Sequence, residues 1–290
     1  MRQVGIGLLA VVLTAGAAGA ADLAMEGPWL PGTVSTAENE YNWNISADGT
    51  LAVFARSAAN FQGARIMVME RRGDGWTEPA PLPFTDNRYK DSDPWLAPDG
   101  RTLYFVSDRP TPAKADKKDM DIWRVTRTAA GWGTPEWLGE AVNSPGEELG
   151  PEVHGGVLTF NSSRKGSQGG LDIYAAKPDG KGGFTAPEAL PAPINSASQE
   201  GDFTLAPDGK SALFWSLRGG KGEIYRVAKQ GDGWGEAVKL PDAVNTGPFT
   251  FTPQFSADGK TLTFGSMRVR DGQPAGMADV YRVPTSSVLP

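Results

Sequence analysis

The amino-acid sequence predicts an all-β chain folded as a single five-bladed β-propeller of four-stranded blades. Three features carry that prediction. A unit of about fifty residues recurs five times, Asp-Gly turns separate short apolar runs within the units, and glycine and proline (37 and 23 of 290 residues) are spread throughout. Short-stranded units that cannot bury both faces alone must stack on their neighbours. Closing them into a ring leaves only short, protected edges.

The first twenty residues, MRQVGIGLLAVVLTAGAAGA, join one basic residue to an apolar run ending in Ala18-Gly19-Ala20. This is the pattern of a secretory signal peptide cleaved after Ala20, so residues 1–20 are assigned to the leader and 21–290 to the propeller. The product is expected in the periplasm or outside the cell. It contains no cysteine, so burial and strand pairing must stabilise it without disulfides. No later stretch approaches the roughly 20 apolar residues of a membrane span. A formal net charge of −6 argues against a nucleic-acid surface, which needs a basic stripe.

Phe54, Phe105, Phe160, Phe214 and Phe264 set the register of the units, 51, 55, 54 and 50 residues apart. Five residues before each stands a glycine, preceded by aspartate in four units (Asp48, Asp99, Asp208, Asp258) and by His154 in the third. Asp-Gly marks a hairpin because glycine takes the positive φ that the turn demands. His154 is accordingly predicted as a surface turn residue. Third strands open at Ile66, Ile122, Ile173, Ile224 and Val280. A Gly-aromatic pair then opens a fourth strand at Gly75-Trp76, Gly131-Trp132, Gly183-Phe184 and Gly233-Trp234, with leucine six residues on. The fifth unit stops soon after Tyr281, while Leu30-Pro31 with Val34 matches Leu240-Pro241 with Val244. Residues near 22–31 are therefore predicted to supply the outer strand of the last blade and close the ring.

Several of these elements form a recognisable repeat: the turn Pro98-Asp99-Gly100, the strand Leu103-Tyr104-Phe105, the strand end Ser107-Asp108-Arg109 and the strand start Asp172-Ile173-Tyr174. Over nearly all of residues 40–283 the pattern resembles the WD40-like (PD40) repeats of the TolB-type propeller family. That resemblance implies a periplasmic location and protein binding through the central channel or one face.

Innermost strands line a propeller's channel, and strand alternation predicts three columns of side chains facing it. The first is Glu40, Asp91, Glu148, Glu200 and Thr250; the second Asn42, Asp93, Gly150, Asp202 and Thr252; the third Asn44, Trp95, Glu152, Thr204 and Gln254. Four carboxylates in the first column would make an acidic ring at one mouth. Against that stand Arg56, Arg109, Arg164, Arg218 and Arg268 at the second-strand ends, which can pair with those carboxylates and serve the repeat instead of a ligand. The candidate binding residues are Glu40, Asp91, Asp93, Trp95, Glu148, Glu152, Glu200 and Asp202. They are expected to engage an envelope protein or a basic peptide segment, with negative potential speeding encounter.

One histidine and no cysteine exclude a multi-histidine or Cys/His metal site, and no nucleotide motif is present. No cofactor is expected, although the carboxylates would suit calcium. The alternative is a glycoside hydrolase with Asp93, Glu152 and Asp202 as its carboxylates. The leading expectation is a non-catalytic, monomeric binding or scaffold protein.

Overall fold

The computed structural model describes residues 27–289 except 86, 113, 114, 117, 272 and 273. The predicted signal peptide and the first part of the predicted closing strand lie outside the described residues. Five antiparallel sheets, rich in β-branched and aromatic residues, stand in a ring as five blades. The inner strands are Asn39–Ile45, Asp91–Leu96, Glu148–His154, Glu200–Leu205 and Thr250–Phe255. Each pairs with a second strand, Leu51–Ser57, Thr102–Ser107, Val157–Ser162, Ser211–Ser216 or Thr261–Ser266. The third strands are Arg65–Arg72, Asp121–Thr128, Asp172–Ala176, Glu223–Gln230 and Asp279–Pro284.

Outer strands of two residues complete the first four blades at Ala80–Pro81, Glu136–Trp137, Glu188–Ala189 and Val238–Lys239. They begin later than expected in the chain. In three blades the Gly-Trp pairs instead fold back on the end of the third strand, with Trp76 opposite Arg71, Trp132 opposite Arg127 and Trp234 opposite Lys229.

The register phenylalanines are all buried, and the core lies between blades as much as within them. Leu51, Val53 and Ile66 of the first blade form one cluster with Leu103, Phe105 and Trp123 of the second. Each fully buried ring contributes on the order of 3 kcal/mol.

Two fivefold sets of backbone hydrogen bonds join the blades. A residue at the start of each inner strand donates its N–H to the blade before: Asp91 to Ala64, Glu148 to Met120, Glu200 to Leu171, Thr250 to Gly222 and, across the seam, Glu40 to Ala278, at 2.8–3.0 Å. The lead-in to each blade adds Leu82 to Ile66, Leu138 to Ile122, Leu190 to Ile173 and Leu240 to Ile224. The fifth of that set is Trp29 to Val280, 2.8 Å, so the N-terminal segment does seal the last blade. It does so one residue earlier than the alignment on Leu30, because the turn before Val34 holds one more residue than the turn before Val244. Arg282 lies over the Trp29 ring, 3.9 Å from its centre, and fixes the seam.

A carboxylate lock closes each of the first four blades. Glu200 accepts from the Ser196 N–H (2.9 Å), the Ser196 hydroxyl (2.6 Å) and the Ser216 hydroxyl (2.7 Å), and pairs with Arg218 at 3.3 Å. Arg218 also donates to the carbonyls of Pro193 and Ile194 in the lead-in. Glu148 with Ser144, Ser162 and Arg164, Glu40 with Thr36 and Arg56, and Asp91 with Thr85 and Arg109 repeat the arrangement. In the fifth blade Thr250 replaces the acid. Arg268 there donates to the Ala243 and Val244 carbonyls and stacks on Tyr281, with its centre 4.2 Å from the ring.

The lock is therefore asymmetric. Removing the arginine strands a buried carboxylate, whereas removing the acid leaves an arginine that still has carbonyl partners. Arg218→Ala is expected to cost about 3–5 kcal/mol. Glu200→Thr, which copies the fifth blade, should cost about 1–2 kcal/mol. Urea unfolding of the two variants against the parent protein measures both.

Candidate functional site

Every inner strand carries a β-bulge at the same place, and this sets which side chains meet the channel. Tyr41 pairs with Ala55 and Asn44 with Val53, so Asn42 and Trp43 together oppose one residue. The same slip recurs between Ser92 and Trp95, Leu149 and Glu152, Gly201 and Thr204, and Phe251 and Gln254. The first residue of each bulge is left-handed: Asn42 (φ 52°), Asp93 (49°), Gly150 (55°), Asp202 (54°) and Thr252 (47°). The extra residue reverses strand parity. The predicted first and third columns thus lie on opposite faces, which corrects the expectation that all three line the channel. Prolines at positions 94, 151 and 253 were the available signal, since an inner-strand proline needs a bulge to excuse its missing donor.

The first-column acids Glu40, Asp91, Glu148 and Glu200 are fully buried in the blade locks, each facing its arginine. Burial pushes Glu40 up to about 7, while Thr36 and Arg56 pull it back. Asn143, Asn195 and Asn245, which follow the outer strands of the second, third and fourth blades, belong to the same scaffold. Their amides bond both the N–H and the C=O of Ile122, Ile173 and Ile224 in the preceding blade.

The third column fills the channel. The Gln254 amide donates to Glu152, the Asn44 amide donates to Gln254 (3.1 Å), and Asn44 accepts from the Leu96 N–H (2.9 Å). Glu152 also meets the His154 Nε2 at 2.6 Å, and the His154 ring packs edge-on against Trp95, 5.6 Å between centres. Trp95 is therefore a wall residue, 5 % exposed. His154 is not a turn residue. The third blade's hairpin is shorter, with His154 opposite Val157 across Gly155-Gly156, and this places the imidazole at the end of the inner strand.

The second column forms the floor of a cup at the opposite end of this plug. Asp93 accepts from the Gly150 N–H (3.0 Å), Asp202 from the Thr252 N–H (3.0 Å), and the Thr252 hydroxyl from the Asn42 N–H (3.4 Å). Gly150 has no side chain to continue the series, so Asn161 accepts from the Asp202 N–H instead (3.1 Å). A Cβ at Gly150 would press on the Asp202 Oδ1 and sit 2.6 Å from the Asn161 Oδ1, so packing requires glycine there, although Asn42, Asp93, Asp202 and Thr252 adopt the same left-handed backbone in the other blades. Asp93 and Asp202 consequently converge over Gly150.

Tyr41, Phe61, Trp215, Phe249 and Phe251 wall the cup, with Lys90 among its lining residues and a cavity of about 190 Å³. Phe249 and Phe251 stack at 4.8 Å, Tyr41 meets Phe61 edge-on at 5.2 Å, and Trp215 meets Phe249 edge-on at 5.2 Å. Trp215 and Phe249 also line a shallow apolar groove running out to Leu217 and Pro248. Among the described residues no group of three or more carboxylate, imidazole or thiolate side chains is placed to hold a metal ion.

Burial, then the charges of Asp93 and Glu152, hold Asp202 up to about 8, against the Thr252 N–H and Trp215. Burial also raises Asp93 and Glu152. Carboxyls held up in this way keep a proton that the unfolded chain releases near pH 4. Their contribution to stability is present at low pH and is lost as pH rises through their folded values. The melting temperature is therefore expected to fall between pH 5 and pH 9. Asp202→Asn, which copies the protonated acid, should flatten that fall in a series of thermal melts.

No family model and no curated protein matches the chain. Solved structures do. A TolB protein from Agrobacterium tumefaciens aligns at 19 % identity over 87 % of this chain and 79 % of that one, with a TM-score of 0.53. The catalytic domain of the Coprinopsis cinerea GH62 α-L-arabinofuranosidase aligns at 11 % identity over 91 % and 96 %, with a TM-score of 0.56. A thermostable family-43 glycoside hydrolase aligns at 10 % over 87 % and 91 %, with a TM-score of 0.58. At such identities the likeness is one of fold: this chain is a five-bladed β-propeller similar to both TolB proteins and glycoside hydrolases.

Proposed function

We propose that the protein is an exported binding protein of the cell envelope that engages a protein or peptide segment at the aromatic mouth of its channel. The observation that carries this reading is the continuity of the cup with the groove over Leu217 and Pro248, both sharing Trp215 and Phe249. An extended segment can lie along the groove and place one side chain in the cup. Beneath it the channel is filled, so the segment is held at the mouth and does not thread the ring. The leader sequence supports a periplasmic or extracellular setting, and among the described residues no helix is long and apolar enough to cross a membrane. The TolB likeness accords with protein binding. The locked acids Glu40, Asp91, Glu148 and Glu200 hold the blades in this reading, while Asp93 and Asp202 face the partner.

One observation favours a second reading. Two converging carboxylates, one holding its proton to about 8, are what a glycoside hydrolase requires of its general acid, with Glu152 as the third carboxylate. The glycosidase likenesses accord with it.

The two readings part in one pair of measurements. Mature protein used as bait in envelope extract should retain a partner that Leu217→Ser loses at unchanged melting temperature, with retention weakening as salt rises. The same protein should release no nitrophenol from 4-nitrophenyl α-L-arabinofuranoside or β-xyloside. Turnover that Asp202→Asn abolishes would replace the binding reading with the hydrolase.

A further inference from the structure

We propose that the cup is a socket for one long basic side chain, arginine or lysine, carried by the segment that binds at the mouth. This rests on the reading of the mouth as the binding surface and names what it recognises. The cavity, about 190 Å³, has room for one side chain. Its walls are the rings of Tyr41, Phe61, Trp215, Phe249 and Phe251, and desolvated ring faces attract a cation through their quadrupoles. Its floor brings Asp93 and Asp202 together over Gly150. Two converging carboxylates at the end of an aromatic-walled cavity form an acceptor set suited to the forked donors of a guanidinium. A hard metal ion wants about six to eight oxygens, which an aromatic wall does not offer.

The charges facing the pair define how binding is regulated. Tyr41 in the first blade, Lys90 and Asp93 in the second, Glu152 in the third, and Asp202 itself in the fourth act on it; the fifth blade presents the neutral Thr252. Without a ligand, burial and their mutual repulsion favour keeping a proton on this pair. A guanidinium or ammonium entering the socket replaces that proton, which passes to solvent while both carboxylates become ionised. Lys90 is the fixed cation at the cup and opposes the incoming charge.

The test uses the mature protein and three blocked tripeptides, acetyl-Gly-Arg-Gly-amide, its lysine counterpart and its citrulline counterpart, which keeps arginine's shape without the charge. The reporter is the indole N–H resonance of Trp215. The arginine and lysine peptides should bind at least about tenfold more tightly than the citrulline peptide. Their affinity should rise at least about tenfold from pH 6 to pH 9, as expected for release of one proton. Lys90→Gln should tighten arginine binding, and Asp202→Asn, checked for an unchanged melt at pH 6, should remove the pH dependence.

Equal binding of citrulline and arginine would overturn the socket while leaving the mouth reading in place. Calcium chloride that moves Trp215 at lower concentration than the peptides, and is not displaced by them, would overturn it in favour of a metal site. If no peptide moves Trp215 and Leu217→Ser spares partner capture, the socket and the mouth reading fall together.

Discussion

The bulge in each inner strand is the constraint on which the rest of the molecule depends. Five strands converging on one axis must give their backbone donors partners and still leave room for side chains. A left-handed residue at the same level in every blade meets both demands. It turns the first-column acid away from the axis into the lock and directs the next side chain sideways to cap a neighbouring N–H. The cost of left-handed backbone at Asp93, Asp202 and Thr252 is offset by those caps, and at Asn42 by the closed ring around it. In the third blade glycine carries the conformation without strain but cannot cap, and Asn161 does so from the adjacent strand.

The carboxylates consequently divide into two populations with different chemistry. Those in the locks are saturated by serine or threonine and arginine, with backbone N–H groups at the glutamates, and serve the frame. Those at the floor are buried among rings and face one another, so their charge state responds to whatever enters the cup. A single ring of acids would have had one potential and one role. The bulge separates a rigid frame from a responsive centre within four residues of chain.

The architecture was legible in the sequence because it repeats: the phenylalanines, the Asp-Gly turns and the third-strand isoleucines each appear several times over, so their register is over-determined. The locks were legible as a weighed alternative, since arginine and carboxylate recur together. The cup was not, because it is built from what does not repeat. Tyr41, Phe61, Trp215 and Phe249 come from different strand positions and loops, and only closure of the ring brings them to one mouth. Parity failed for a local reason, the bulge, and His154 was misplaced because the third hairpin is shorter than the others. Asp93 and Asp202 were picked out as symmetry-breaking residues facing the channel, yet their meeting over Gly150 depends on the absence of a side chain.

The seam between Trp29 and Val280 joins residues about 250 positions apart, and without it the last blade lacks its edge. A chain emerging N-terminus first must therefore keep Trp29 unpaired until the fifth blade has been made. Four blades can assemble in order as they appear, each on the one before, but the ring cannot become cooperative until its two ends meet. The incomplete ring therefore stays soft while the chain is being completed, and hardens only when Trp29 meets Val280.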